Sequence, residues 1–418
     1  MPESLYWILI ALALAGLLSV ILEEVIHVNK AQSVLFFGAL SWLLLFIFTP
    51  ETEAHERVME GLQENIGEIA SLWLFLLSAM TFVAYLNKKG LIENITYRFL
   101  PKNISERQLL LVTGLFSFVF SSLADNVTAT LVSVALILSL NLSATKTLRF
   151  ATVSVFAVNS GGVAMITGDV TTLMIFLADK VSIPHLLMLA GPALLAVVLL
   201  AILLARPLND SVTIEHQTGE LQRVDVTIAI VFLLTIFATI AGNVLFDIPP
   251  VLSFISGLSV MFLVARAFGE DTENDPIMNY IRQIEFDTLM FFLGILLLVG
   301  SLKEIHALDS IVRIYEFLPA WAANYSMGLL SALIDNVPLT AALLKADVPM
   351  EMQDWLALTY AVGVGGSLLI IGSAAGIVAM TKINELTFGS YLRFIVALLI
   401  AYTVGYAATL ALGTWIGS

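Results

Sequence analysis

The chain has 418 residues, of which 59% are hydrophobic and only 12% are charged, with a net charge of −14 and a mean hydropathy of +0.95. A soluble protein would carry about twice that share of charged residues, so the composition argues against one. There is no basic patch of the kind that binds nucleic acid, and the absence of cysteine excludes disulfides and thiolate metal sites.

Apolar runs near the length of a membrane span recur along the whole chain, which predicts an all-α polytopic protein whose surroundings are a lipid bilayer. The first run has no basic segment before it and is interpreted as a retained span rather than a cleaved signal. In chain order, the uninterrupted spans are predicted at 5–26, 31–48, 70–87, 186–205, 224–245, 251–268, 287–303 and 391–416. Segments 87–107 and 303–324 mix charged and apolar residues and are interpreted as amphipathic interfacial helices.

The same polar tripeptide, Asp-Asn-Val, interrupts two of the remaining apolar segments. It occupies 125–127 within segment 109–140 and 335–337 within segment 325–346. A carboxylate at membrane depth costs several kcal/mol, so one that is kept there usually serves an ion or proton pathway.

Two further segments, 148–180 and 355–383, are long apolar helices that contain glycines near the middle. Glycine allows a helix to unwind, and unwinding frees carbonyl groups that can coordinate an ion.

Basic residues orient these segments. Segment 109–140 has Lys and Arg on both flanks, and positive flanks favour the cytoplasm, so it is predicted to enter and leave on the same side as a re-entrant hairpin. Its length allows two arms of about 24 Å, which is short of two full spans. Extending this choice gives ten spans and two hairpins, with both termini outside and with 14 of the 19 Lys and Arg residues on the inner side.

The two halves of the chain align as a repeat. Residues 1–205 form the first repeat, 206–223 a cytoplasmic linker and 224–418 the second repeat. Each repeat is predicted to contain five spans, one of them broken, and one hairpin. Because five is odd, the second repeat must be inverted relative to the first. Inverted repeats with broken helices are typical of alternating-access transporters.

The hairpin tips and broken helices supply the candidate ligands. Asp and Asn are good helix N-caps, so capping alone is one interpretation of the tips. Asn or Ser would cap without a buried charge, however, so Asp at both tips favours a cation or proton role. Asp125 and Asp169 are predicted to bind Na⁺ as a pair, with Asp335 as a third ligand or a proton carrier, because carboxylate-containing oxygen sites suit hard cations. The second broken helix lacks a carboxylate, so the first motif is expected to hold the ion more tightly.

The chain resembles the NhaD-type sodium/proton antiporters of the ion transporter superfamily over nearly its whole length. The resemblance rests on four motifs: SSLADNVTAT, VNSGGVAMITGDVTTLMIF, LLSALIDNVPLTAALL and GVGGSLLIIGSAAG. It implies a scaffold domain and a transport domain that moves like an elevator, usually in a homodimer. The polar positions that it implies are Ser121, Asp125, Asn126, Thr128, Asn159, Asp169, Thr171, Thr172, Ser331, Asp335, Asn336, Ser367 and Ser373.

The predicted function is exchange of Na⁺ or Li⁺ for H⁺ across a bacterial inner membrane, without a cofactor and with both termini periplasmic. One alternative keeps the fold but carries arsenite or a carboxylate with coupled cations, although neither tip offers an Arg or Lys for an anion. A membrane receptor or enzyme is a second alternative, but the chain shows no Ser/His/Asp constellation, zinc-protease motif or nucleotide-binding loop.

Overall fold

A computed structural model describes residues 3–21, 28–49, 52–91, 103–140, 142–213, 222–267, 280–282, 284 and 286–416. The helices in the first half of this described part are α1 Glu3–Ile21, α2 Lys30–Phe48, α3 Thr52–Lys88, α4 Glu106–Leu123, α5 Asn126–Ser139, α6 Ala144–Gly162, α7 Val170–Leu177 and α8 Ile183–Ala205. Those of the second half are α9 Arg223–Phe246, α10 Pro250–Ala267, α11 Phe286–Glu304, α12 Asp309–Phe317, α13 Ala320–Ser331, α14 Asn336–Lys345, α15 Met352–Gly365, α16 Ala374–Lys382, α17 Phe388–Leu392 and α18 Ile395–Ile416. The described residues also form two short strands, β1 Asn103–Ser105 and β2 Ser211–Thr213.

The prediction of an all-α polytopic membrane protein is confirmed. Among the described residues, seven helices are long and apolar enough to cross a membrane, and they coincide with seven of the eight predicted uninterrupted spans. The remaining predicted span corresponds to α1, which is described from Glu3 to Ile21.

The third span is longer than predicted. The charged residues before it suggested a start at residue 70, but α3 has 37 residues and begins at Thr52. At 1.5 Å per residue it is about 55 Å long, well beyond a hydrocarbon core of about 30 Å. Its charged first half continues as a helix because it packs on α11, where Asn65 donates to the Leu296 carbonyl at 3.1 Å.

Helices α2, α3 and α11 form one tightly packed group. Helix α2 runs parallel to α11, and a Cβ atom added to Gly38 would lie 2.6 Å from the Gly294 carbonyl oxygen, so both helices need glycine where they cross. Helix α3 runs antiparallel to α11, with Trp73 donating to the Leu289 carbonyl at 2.8 Å.

Helix breaks occur at the positions where the sequence predicted hairpin tips and interrupted helices. Helices α4 and α5 are separated at residues 124–125, and α13 and α14 at 332–335. The first arm of the second hairpin begins at Ala320, five residues before the predicted start at 325, and the amphipathic segment before it contains α12. The first interrupted helix is α6 followed by α7, and the second is α15 followed by α16 with a 3₁₀ turn at Ile370–Gly372 between them. The re-entrant character of the hairpins and the repeat boundaries stay predictions.

One feature was not predicted from the sequence. Strands β1 and β2 pair antiparallel and tie the start of the first hairpin to the linker between the repeats. The nearby Lys146 ammonium lies 2.6 Å from a Glu106 carboxylate oxygen and 2.7 Å from an Asp210 oxygen. Segment 87–107 was expected to be an amphipathic helix, but Asn103–Ser105 form β1 and Glu106 begins α4. Residues 92–102 of that segment lie outside the described part of the chain.

Candidate functional site

Each Asp-Asn-Val tip begins a helix with its aspartate. The Asp125 carboxylate accepts hydrogen bonds from the Thr128 backbone amide at 2.9 Å and from the Thr128 hydroxyl at 2.7 Å. The Asp335 carboxylate accepts from the Val337 amide at 3.1 Å. Both aspartates therefore satisfy the first amides of the helices that follow, as the capping interpretation requires.

The asparagines of both tips meet at a single carboxylate, that of Asp169. Asn126 and Asn336 each donate a side-chain amide hydrogen to the Asp169 Oδ2 atom at 3.1 Å, and the Thr171 amide donates to Oδ1 at 3.0 Å. Asp169 lies at the break of the first interrupted helix and is only 6% exposed. Hydrogen bonds to an ionised carboxylate are stronger than neutral ones, so these donors compensate for the burial of the charge.

A cavity of about 270 Å³ opens onto this carboxylate. Six of the predicted site residues line it, namely Asp125, Asn126, Asp169, Asp335, Asn336 and Ser373, together with apolar residues that include Met80, Phe291 and Phe292. The cavity thus joins both hairpin tips, the first helix break and the start of α16 to the group formed by α2, α3 and α11.

Two charged residues in this cavity were missed in the sequence. The Lys30 ammonium lies 3.7 Å from an Asp335 oxygen and 4.9 Å from the centre of the Phe291 ring. Asp287, also in the cavity lining, accepts a hydrogen bond from Asn29 at 3.1 Å. Both residues lie at the starts of predicted spans, where charged residues usually face the membrane interface, so the sequence alone does not mark them as site residues. Only the parallel packing of α2 and α11 brings them to the tips.

Three buried oxygens near the helix break have no hydrogen-bond partner among the described residues: Asn159 Oδ1, Ser160 Oγ and Thr171 Oγ1. The Asn159 amide group is engaged, because it donates to the Ser373 hydroxyl at 3.0 Å and so joins the two interrupted helices. A buried oxygen without a partner is costly, and a cation that has lost its water needs such oxygens. These oxygens are therefore candidate ligands for a small hard cation.

The other predicted residues support the breaks rather than line the cavity. Ser121 donates to the Asn126 side-chain oxygen at 2.8 Å and fixes that amide for its bond to Asp169. The remaining hydroxyls donate to carbonyl groups, from Thr172 to Gly162 at 3.3 Å, from Ser331 to Val362 at 2.7 Å and from Ser367 to Val364 at 2.6 Å. Such bonds stabilise backbone that has left the helical pattern.

Glycine is required where the first tip approaches the first break. A Cβ atom on Gly162 would lie 2.8 Å from Asn126 Oδ1 and 3.0 Å from the Asp169 Cβ atom. A Cβ atom on Gly168 would lie 2.5 Å from the Ser121 carbonyl oxygen. No other residue type allows the backbone to come this close.

A second cavity, of about 610 Å³, lies at the other end of the same packing interface. Ion pairs cross this end: Lys345 with Glu68 at 2.6 Å and Lys180 with Asp347 at 2.7 Å, beside the pair of Lys303 with Glu64 at 3.1 Å. The Lys345 side chain is only 7% exposed, so its pair with Glu68 is the most enclosed of the three. Of these three pairs, the one between Lys345 and Glu68 joins α14 to α3. The other two join the residues after α7 and α14 to each other and α11 to α3.

Comparison with known proteins identifies the kind of protein that carries this arrangement. The family model described as citrate transporter (CitMHS) matches residues 5–363. The Na⁺/H⁺ antiporter NhaD of Vibrio cholerae is 32% identical, over 94% of this chain and 89% of its own length. Sodium/proton antiporter 1 of Arabidopsis thaliana is 31% identical, over 95% of this chain and 70% of its own length. In fold, the chain resembles the YdaH transporter of Alcanivorax borkumensis, with a TM-score of 0.55, 15% identity and coverage of 93% of this chain and 98% of that one.

Proposed function

The chain belongs to the citrate transporter (CitMHS) family and to its NhaD-type sodium/proton antiporters, and we propose on this basis that it exchanges Na⁺ for H⁺. The observation that carries the proposal is the buried Asp169 carboxylate, which the asparagines of both tips reach at 3.1 Å. A buried ionisable group inside a transporter marks an ion or proton pathway.

Competition at this carboxylate would couple the two ions. Asp169 holds either Na⁺ or a proton but not both, so an ion moving in one direction must be exchanged for the other. The oxygens of Asn159 and Thr171 that lack partners would replace part of the water that Na⁺ loses on entry. Li⁺ is also a small hard cation and is proposed as a second substrate.

Lys30 gives the cavity a positive charge of its own. Four aspartates line the cavity, and the Lys30 ammonium near Asp335 offsets part of their mutual repulsion. We expect an incoming Na⁺ to compete with the Lys30 ammonium for the aspartates. Lys30 would then lower the affinity of the site for Na⁺, so that the ion can be released.

Alternating access would expose the site to each side in turn. The cavity at Asp169 opens beside the starts of α2 and α11, which are predicted to lie on the inner side, whereas the ion pair of Lys345 with Glu68 joins α14 to α3 at the opposite end. We propose that this is the inward-open arrangement. An elevator-like shift of the hairpins and interrupted helices along α3 and α11 would exchange the two cavities. The homodimer, the bacterial inner membrane and the periplasmic position of both termini stay predictions.

Transport of an organic anion is the competing function, since the family's name refers to citrate. The cavity disfavours it, because four aspartates face one lysine among the described lining residues. A citrate trianion would meet repulsion there unless several cations entered with it.

Purified protein in liposomes with a pH-sensitive dye inside separates these functions. We expect Na⁺ or Li⁺ added outside liposomes that contain neither ion to enter in exchange for protons and so to alkalinise the lumen, with K⁺, citrate and arsenite inactive. Citrate uptake that proceeds without Na⁺-dependent proton movement would refute the proposal in favour of the anion carrier.

A further inference from the structure

A groove lined by three arginines lies away from the ion site. Arg149 near the start of α6, Arg206 after the end of α8 and Arg393 before α18 surround a space of about 510 Å³. The charge distribution of the sequence predicts that all three lie on the inner side of the membrane. None of the described residues that line the groove is acidic, so nothing in its lining neutralises this charge.

The floor and rim of the groove are apolar. Leu148, Leu204 and Phe394 contribute to the lining, and Val396 and Ile400 continue along the outer face of α18, where they are 67% and 45% exposed. Exposed apolar residues on a membrane-spanning helix face hydrocarbon. The arginines therefore stand at the level where the acyl region meets the headgroups, a typical position for basic residues that contact lipid phosphates.

Arg149 is held in place as a fixed part of the groove. Its guanidinium donates to the Leu204 carbonyl at 3.1 Å and lies 5.4 Å from the centre of the Phe394 ring. The other two arginines are exposed at the rim. One preorganised guanidinium and two adjustable ones suit a phosphate that needs several charge-assisted hydrogen bonds.

A neighbouring groove of about 370 Å³ shares Arg206. Arg107 lies on its other side, where its guanidinium donates to the Leu208 carbonyl at 2.7 Å and to the Asn209 side chain at 2.6 Å. Ile202, in the same lining, is 55% exposed toward the membrane. Positive charge above apolar surface thus continues around the end of α8.

We propose that the groove formed by Arg149, Arg206 and Arg393 binds an anionic glycerophospholipid, with its phosphate between the guanidiniums and its acyl chains along α18. A free phosphate ion would satisfy the arginines but leave the apolar rim uncovered. The lipid chemistry accounts for both the charge and the rim. The proposal is independent of the transported ion, since none of these residues lines the Asp169 cavity.

Lipid binding to the purified full-length protein in detergent tests this assignment. The probes are phosphatidylglycerol, phosphatidylcholine and inorganic phosphate, and the readouts are the Tm and the retained lipid adducts in native mass spectrometry. The test variant is the double substitution Arg206→Gln and Arg393→Gln, which changes only exposed side chains. Arg266→Gln, an exposed arginine at the inner end of α10, is the matched control.

We expect phosphatidylglycerol to raise the Tm of the wild type and of the control, and phosphatidylcholine and phosphate to leave both unchanged. The double variant should bind phosphatidylglycerol about 30-fold more weakly, because each basic residue near an anionic lipid contributes roughly a fivefold factor. Its Tm without lipid should match that of the wild type, so that loss of binding is not mistaken for misfolding.

Three results would overturn the proposal. The first is no response of the wild type to phosphatidylglycerol. The second is equal binding by the double variant. The third is an equal effect of inorganic phosphate, which would make the groove a site for free anions instead.

Discussion

Removing either asparagine of the hairpin tips should weaken Na⁺ binding by a similar factor. Asn126→Ala and Asn336→Ala each delete one hydrogen bond to the same oxygen of Asp169, and both bonds are 3.1 Å long. A hydrogen bond to a charged group contributes about 1.5–3 kcal/mol, and each 1.4 kcal/mol changes an equilibrium constant tenfold. The apparent KM for Na⁺ should therefore rise about 10- to 100-fold in each variant.

Sodium-dependent collapse of a respiration-driven ΔpH in everted membrane vesicles measures this KM directly. Asn324→Ala is the matched control, because Asn324 is also buried in the second hairpin but hydrogen-bonds to the Asp354 carbonyl and to Tyr315. Its loss should reduce the stability of the protein in detergent while the KM stays within about threefold of the wild type, since Asn324 does not line the cavity at Asp169.

A shared carboxylate requires that the variants at residues 126 and 336 behave alike. A large rise in KM for Asn126→Ala with no change for Asn336→Ala would show that the first motif binds the ion alone, as the distribution of carboxylates in the sequence suggests. The shared role of Asp169 would then be wrong.

Three further predictions follow from other contacts. Gly162→Ala should reduce exchange in the vesicle assay at least about tenfold with normal membrane abundance, because its new methyl group would lie 2.8 Å from Asn126 Oδ1. Gly191→Ala is the control and should leave exchange unchanged, because a Cβ atom there has no atom within 4 Å. Lys345→Gln should widen access to the cavity of about 610 Å³, measured as faster thiol labelling of a Ser71→Cys probe, which would be the single cysteine of the chain. Unchanged labelling would contradict a role of the ion pair in limiting access. Hydrogen bonds to Asp210 and Glu106 raise the pKa of Lys146 above its ordinary 10.5, so the stability that they supply is complete below 10.5 and lost as pH rises through the raised pKa. Lys146→Gln should accordingly lower the Tm at pH 8, and the difference from the wild type should shrink above pH 10.5; a constant difference across that range would exclude the linkage.

The sequence was sufficient for the local features of the fold. Helix interruptions depend on nearby residues, and glycine, Asp and Asn indicated where they would fall. The two tips and the break at Asp169 therefore occur at the predicted positions. Long apolar runs indicated the spans for the same reason, since a single segment contains all the information about its own hydropathy.

Contacts between the halves could not be predicted in the same way. Lys30 and Asp287 have the sequence pattern of residues at the ends of spans, and only the parallel packing of α2 and α11 brings them into the cavity. The hydrogen bond between Asn336 and Asp169 joins residues far apart in the chain. The sequence therefore indicated that Asp169 acts with the first hairpin tip, but not that the second tip contacts it as well. The length of α3 was underestimated because its charged first half is stabilised by α11 rather than by hydropathy.

The most direct test of the account is the exchange activity of Asp169→Asn in liposomes, with Na⁺ or Li⁺ added across a pH series. The variant keeps the size of the side chain but removes the charge for which Na⁺ and H⁺ compete. We expect no sodium- or lithium-dependent proton movement by this variant at any pH. The control variant Asp247→Asn should be as active as the wild type, because Asp247 has a left-handed backbone conformation that Asn tolerates. Sodium-dependent proton movement that persists in Asp169→Asn would contradict the assignment of this carboxylate as the shared site.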